Sequence, residues 1–326
     1  MLLGLVLIAL AAISWGTTGI TMTLLARGAA AEPLLVGFVR LAIAAPFLLG
    51  AALVSTRDWR VSAARDALAL LAMGAAMAAY QVFYFWAVTL TGVAVAALLA
   101  ICSSPLMIAG LAALFLRERL TTTVGISLAT AVAGTALLVI GPRGIGAVPA
   151  RFALGALLAL GAGLSYAIYA VVGKATLARV APLPLAGITF TVAAAALAPV
   201  LAWEQSVAEP LAKGWPLFLY LGLVPTALAY GLFTVGLRRM PATVAGITTL
   251  LEPVTASTLG VLLFGERLGV AGTIGAILLL TAIALLAVRR APHPALSPTG
   301  GEDEGEGARE PGGGETRGQK NGGTAW

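Results

Sequence analysis

Residues 2–288 form a succession of apolar runs, each long enough to cross a bilayer, separated by short gaps that hold nearly all of the charge. A helix rises about 1.5 Å per residue and the hydrocarbon core is about 30 Å thick, so about 20 apolar residues make one span. Ten runs meet that length: 2–26, 33–55, 67–90, 92–116, 121–141, 152–178, 182–203, 215–237, 241–264 and 268–288. The runs are unbroken rather than alternating, which excludes a barrel of strands and predicts helices. Gaps of a few residues force antiparallel neighbours. The expected fold is an all-α integral membrane protein of ten transmembrane helices. Only 10% of the 326 residues are charged, against about 25% in a soluble domain. Nine of those 34 charges follow Arg290, in a Gly-rich tail.

The first 290 residues carry 17 basic and 8 acidic groups. The basic groups are spread over loops instead of forming a groove-reading patch, so no nucleic-acid partner is expected; in a membrane chain they set orientation. With the N-terminus inside, the cytoplasmic segments hold Arg57, Arg60, Arg65, Arg117, Arg119, Lys174, Arg179, Arg238, Arg239, Arg289 and Arg290. The opposite side holds Arg27, Arg143, Arg151, Lys213 and Arg267. Both termini are therefore expected in the cytoplasm of a multi-pass protein of the cell (inner) membrane. The first run lacks a basic leader and is long enough to span, so it reads as a span, although Ala29–Ala31 has the small residues of a cleavage site. The only His is His293, in the tail, and the only Cys is Cys102. A Cys/His zinc site, a disulfide framework and His-based catalysis in the core are excluded; no metal, cofactor or enzymatic activity is expected. Residues 291–326, without an apolar face, are expected to be a disordered cytoplasmic tail.

The chain also repeats itself. VAALLAICSSPLMIAGLAALFLRERL, ending at Leu120, matches TVAGITTLLEPVTASTLGVLLFGERL, ending at Leu268. Pro105 lies over Pro253, Glu118 over Glu266, Arg119 over Arg267 and Leu120 over Leu268, each pair 148 residues apart. Tyr80 aligns with Tyr230 and Trp15 with Tyr166 at offsets of 150 and 151. A unit of five spans is odd, so the second copy enters the membrane upside down. Such inverted repeats enclose a central cavity that opens alternately to either side. The expected domains are 1–141, the first repeat, and 152–290, the second, inverted one.

Two five-span copies, each with a mid-span Pro, a following Glu-Arg-Leu loop and a Gly-containing next span, resemble the EamA domain. That domain is the ten-span branch of the drug/metabolite transporter superfamily, and within it the chain is similar to YddG-type bacterial exporters of aromatic and other amino acids. The resemblance covers residues 1–290 and implies a secondary transporter of small metabolites, often directed outward. The first copy departs by carrying Ser104 where the second has Glu252, so the halves need not contribute equally.

Polar and ionisable groups are costly within spans and face a cavity or a partner. By these boundaries two charged residues sit well inside spans, Arg40 and Glu252. Glu252 lies near the middle of the ninth span beside Pro253, whose missing N–H leaves a carbonyl free about one turn earlier. Thr248 and Thr255 fall on the same helical face, with Thr249 adjacent. This face reads either as part of a binding cavity, with Glu252 meeting a substrate amine or a coupling proton, or as a protonated Glu bonded to a neighbouring helix. Ser103, Ser104 and Pro105 hold the matching place in the fourth span. Arg40 lies seven residues inside the second span. It either snorkels to the outer interface or meets a substrate carboxylate or a buried acid.

Tyr80, Gln81 and Tyr84 share the third span, Tyr166 and Tyr169 the sixth, with Trp15 in the first and Tyr230 in the eighth. Trp15, Tyr80 and Tyr166 are too deep for interfacial anchors. They supply the flat walls and polar handles of a small-molecule pocket, or ordinary helix packing. Glu118 and Glu266, beside Arg119 and Arg267, read more simply as helix caps or surface ion pairs than as catalytic groups.

The leading expectation is a secondary active transporter exporting aromatic and other neutral amino acids, or related small metabolites, by alternating access. Export of small organic cations or hydrophobic amines is the second reading, with Glu252 as the primary contact. A sugar-phosphate exchanger should carry several Lys or Arg within its spans, and only Arg40 is present. A passive channel needs a continuous polar stripe. An intramembrane enzyme needs a nucleophile–base pair, which Cys102 and Ser104 lack without a His.

Overall fold

The computed structural model describes residues 2–55, 64–91, 93–140, 151–204, 206–264 and 269–288. Arg57, Arg60, Arg143, Glu266, Arg267, Leu268, Arg289, Arg290 and the tail lie outside the described residues, as do the structural expectations placed on them. Among the described residues the regular structure is helical throughout. In chain order the helices are α1 (Leu2–Gly16), α2 (Thr18–Ala29), α3 (Pro33–Ser55), α4 (Ala64–Thr91), α5 (Val93–Phe115), α6 (Thr122–Ile140) and α7 (Phe152–Thr176). They continue as α8 (Pro182–Leu197), α9 (Val200–Trp203), α10 (Ala208–Gly222), a π-turn (Leu223–Leu228), α11 (Ala229–Leu237), α12 (Ala242–Thr248), α13 (Leu251–Phe264) and α14 (Gly269–Val288).

Seven helical stretches are long and apolar enough to cross a membrane, and three shorter apolar helices lie at Leu99–Phe115, Thr122–Leu137 and Gly269–Leu285. Leu3, Val54, Leu114, Leu262 and Val270 are all more than half exposed. Water would not tolerate that surface, but hydrocarbon does.

Four of the expected runs are interrupted; in the seventh, the turn at Ala198–Pro199 separates α8 from α9. Between α1 and α2, Thr17 turns back, its N–H and its hydroxyl both donating to Ser14 O, at 3.1 and 2.7 Å. The ninth run is two helices: the Thr249 hydroxyl donates to Gly246 O at 2.8 Å, and Leu250 N–H to Ile247 O at 3.2 Å, tightening the chain before α13 begins. In the eighth run, Pro225 removes a donor and the Thr226 hydroxyl reaches back five residues to Leu221 O, at 2.6 Å, within a wide π-turn. The eighth helical stretch also starts earlier than its apolar run, at Ala208, with Glu209 and Lys213 paired at 2.6 Å on its first turns.

Helix α4 lies along α7, α6 along α14, α3 along α8, α5 along α7, and α1 along both α11 and α13. Small residues allow the closest of these approaches. A Cβ on Gly134 of α6 would lie 2.8 Å from Gly275 O and 2.9 Å from Leu279 N on α14, and these are backbone atoms. The principal core gathers Trp15, Tyr166, Tyr169, Phe190, Tyr230 and Phe233 with residues of α3, α4 and α12. A second cluster joins Leu25, Leu35 and Val36 to Phe218 and Leu221.

Candidate functional site

The interrupted helices supply much of the site. Trp15 ends α1 one residue before Gly16, Tyr230 is the second residue of α11 after the π-turn, and Glu252 is the second residue of α13 after its joint with α12. The crossing of α1 and α13 depends on Gly16, where a Cβ would lie 2.5 Å from Thr255 Cβ and 2.8 Å from Glu252 O. The unbroken α4 and α7 add Tyr80, Tyr84, Tyr166 and Tyr169.

The rings form one connected cluster. That of Trp15 lies 4.8 Å from Tyr230, 5.5 Å from Phe233 and 6.3 Å from Tyr166. Tyr166 is 6.3 Å from Tyr80, which stacks on Tyr84 at 5.9 Å with the planes 5° apart. Tyr169 lies 6.2 Å from Tyr166 and 5.9 Å from Tyr230, and Phe190 of α8 lies 4.6 Å from Tyr230. Exposure is graded through this cluster. Tyr169, Phe190 and Phe233 are at most 1% exposed and make a closed floor. Tyr80, Tyr84 and Glu252 are partly exposed although they stand deep within their helical stretches.

Charge and hydrogen-bonding capacity are distributed unevenly around the rings. Glu252 is close enough to the Tyr80, Tyr84, Tyr166 and Tyr230 hydroxyls to act on each electrostatically; Arg40 acts on Tyr80, Tyr230 and Glu252. Among the described residues no ion pair joins Arg40 to Glu252. Arg40 is 7% exposed. Arg40 Nε, Gln81 Nε2, Trp15 Nε1, Tyr166 OH and Tyr169 OH are buried without a hydrogen-bond partner among the described residues. A buried polar group left unpaired costs about 1–3 kcal/mol; three of these atoms, on Trp15, Tyr166 and Tyr169, belong to the ring cluster itself.

Other residues singled out from the sequence are placed differently. Gln81 turns towards α3, where its Oε1 would lie 3.5 Å from a Cβ on Gly37, one turn before Arg40. Ser103 and Ser104 donate to Ala100 O at 3.3 and 2.7 Å, and Ser104 also approaches Gly163 O of α7 at 3.4 Å. Thr248 and Thr255 donate to Val244 O and Leu251 O, at 2.8 and 3.0 Å. The break at Thr249–Leu250 means that Thr248 does not stand one continuous helical turn before Glu252. Nor is a carbonyl left free by Pro253, since Thr249 O accepts the Glu252 N–H at 3.0 Å. Phe233 and Phe190 join the cluster although neither is among the residues expected from the sequence. Phe233 carried a signal, because it lies three residues after Tyr230 and 150 after Phe83. No group of three or more His, Cys, Asp or Glu suited to a metal occurs among the described residues.

The EamA-like transporter family matches the chain twice, over residues 2–140 and 153–288. An uncharacterized transporter of Bacillus subtilis, YwfM, is 35% identical over 285 residues, covering 87% of this chain and 93% of that protein. The threonine/homoserine exporter RhtA of Escherichia coli K12 is 34% identical over 114 residues, 35% of this chain and 38% of that protein. A crystal structure superposes with a TM-score of 0.75 at 24% identity, covering 87% of this chain and 97% of the other, a likeness of fold. Matched in both halves and over nearly the whole length of a transporter, this chain belongs to the EamA-like transporter family, as a multi-pass membrane protein that carries small molecules.

Proposed function

We propose that the protein exports neutral amino acids or related zwitterions by alternating access. The observation that carries this reading is the sorting of polar groups about the rings. Arg40, Gln81 and Trp15 offer unpartnered donors, and Glu252 is an acid within electrostatic reach of Arg40. A carboxylate accepts only and suits the first set; an ammonium donates only and suits Glu252. The substrate's side chain lies against Trp15, Tyr80, Tyr84, Tyr166 and Tyr230, above the closed Tyr169, while Ser103 and Ser104, their hydroxyl protons already used, offer acceptor lone pairs; Thr248, 0% exposed, stays behind them. An organic cation would leave the donors unmet and would be repelled by Arg40. The matching stretch of RhtA, named as a threonine/homoserine exporter, supports an amino-acid substrate.

The proposed frame is ten spans in two inverted halves, 1–141 and 152–290, around a central cavity, with 291–326 as a tail and both termini in the cytoplasm. Paired packing across the halves supports it: α4 on α7 has its counterpart in α1 on α11, and α5 on α7 in α1 on α13. The contacts α3 on α8 and α6 on α14 are each their own counterpart. Helices broken near the bilayer middle, beside the binding groups, are a recurring feature of such carriers.

The test is counterflow in proteoliposomes with labelled threonine, phenylalanine and choline, with and without a pH gradient. Saturable exchange of an amino acid is expected; exchange of choline alone, or flux that does not saturate, overturns the reading. With Glu252 as the carrier of a coupling proton, Glu252→Gln should abolish gradient-driven accumulation and spare exchange. Loss of both, or of neither, removes that role. Tyr80→Ala should raise the half-saturating concentration about fivefold, the worth of one aromatic contact, with membrane abundance unchanged. An unchanged half-saturation would return Tyr80 to packing.

A further inference from the structure

Two carboxylates tie the halves together where the ends of α4, α5, α7, α11 and α12 meet. Glu118, in the turn after α5, accepts the Ala242 N–H at 2.6 Å through Oε1. Its Oε2 accepts the Thr243 N–H at 3.1 Å and the Thr243 hydroxyl at 2.8 Å. It thereby caps the first turn of α12, a helix that follows Pro241 and has no side-chain cap from that residue. A carboxylate at the positive end of a helix is favourable, and its bonds there are charge-assisted.

Lys174 of α7 serves the neighbouring helix in the opposite sense. It donates to Leu237 O at 2.9 Å and Arg238 O at 3.3 Å, at the carbonyl end of α11, and lies within the electrostatic reach of Glu118. The turn 238–241 thus has a cation on its incoming helix and a carboxylate on its outgoing one. Beside it, Arg179 donates through Nε and Nη2, both at 2.7 Å, to Oδ1 of Asp66, which is buried in the first turn of α4.

The start of α3, the end of α9 and the start of α10 are arranged differently. There Glu204, after α9, and Glu32, before α3, meet as like charges, and Glu204 is held above the usual carboxylate range by burial and then by Glu32. The pair at that end among the described residues, Lys213–Glu209, is internal to α10 and joins no halves. The floor of Tyr169, Phe190 and Phe233 closes the ring cluster towards the Glu118 end.

We infer that Glu118 is a latch: by holding α12 it keeps the passage shut at this end, and its release lets this end open. The inference rests on the alternating-access reading above and adds how the closed end is held. Helix α12 has seven residues and leads straight into the Thr249–Leu250 joint and Glu252. Glu118 acts through α12 and is a positioning residue.

The test reads opening directly. In a Cys102→Ala background, Leu237→Cys places a thiol on a 1% exposed position beneath Lys174, and Thr255→Cys places one on the partly exposed side. Both are labelled with a hydrophilic maleimide in protein held in nanodiscs. Glu118→Gln should speed labelling at Leu237→Cys about tenfold and Thr243→Ala, which removes one of the three bonds, about threefold. Labelling at Thr255→Cys should stay level or slow. No rise at Leu237→Cys, or an equal rise at both positions, overturns the latch. If Glu118→Gln does not fold, Thr243→Ala decides by the same criteria. Labelling needs no substrate, so its failure and a failure of amino-acid counterflow are separate results.

Discussion

Arg40→Leu should raise the half-saturating concentration for a neutral amino acid by about a hundredfold or more while leaving the protein in the membrane. A guanidinium–carboxylate pair contributes two charge-assisted hydrogen bonds of about 1.5–3 kcal/mol each. With about 1.4 kcal/mol per tenfold, their loss reaches two to four orders of magnitude. Folding should be spared, because the Arg40 Nε bonds to nothing among the described residues and Leu relieves a buried polar group. Removing Arg40 also leaves Glu252 as the remaining charge at the rings, so choline exchange should appear or improve. Counterflow normalised to membrane abundance checks both. A half-saturation within threefold of the parent would remove Arg40 from the substrate site.

Gly134→Val is expected to damage the packing of the bundle severely. At many small-residue contacts the obstructing atom is a side chain that can turn aside; here it is the α14 backbone, at Gly275 O and Leu279 N. The two helices must separate along their length, and overpacking costs about 1–3 kcal/mol even where side chains yield. The measurement is the fraction of protein that stays monodisperse after heating in detergent, with Gly50→Val as the control. A Cβ on Gly50 meets nothing within 4 Å. Equal thermal stability of the two variants would show that the α6–α14 contact adapts freely.

The helical runs were legible because lipid imposes a length and a polarity that single residues carry in their side chains. Seven stretches emerge long enough and three somewhat short, with most ends within a few residues of the apolar boundaries. The interruptions were not legible. Thr17, Thr226 and Thr249 are ordinary residues for a membrane helix, and only bonds to Ser14, Leu221 and Gly246 carbonyls show that each stabilises a turn. The expected face of Thr248, Glu252 and Thr255 assumed a continuous helix; the joint separates Thr248 from it, while Glu252 and Thr255 stay together in α13. The rings were legible from their depth, and Trp15, Tyr80, Tyr84, Tyr166, Tyr169 and Tyr230 lie in one connected cluster. Of the two arrangements expected for Glu118, helix cap or surface ion pair, it adopts the cap. That it caps a helix 124 residues away was not legible, since sequence spacing does not report which turns meet across the bundle.

The π-turn between α10 and α11 changes what one transmembrane crossing can touch. Before it, Phe218 and Leu221 face α2 and α3; after it, Tyr230 and Phe233 face α1 and α8. A regular helix advances about 100° per residue, so the surplus residue of the wider coil rotates everything downstream relative to everything upstream. A single rod thereby serves two differently oriented neighbours without a loop. Losing one residue between Leu223 and Leu228 would keep the hydropathy of the crossing, yet turn the ring-bearing face away from Trp15.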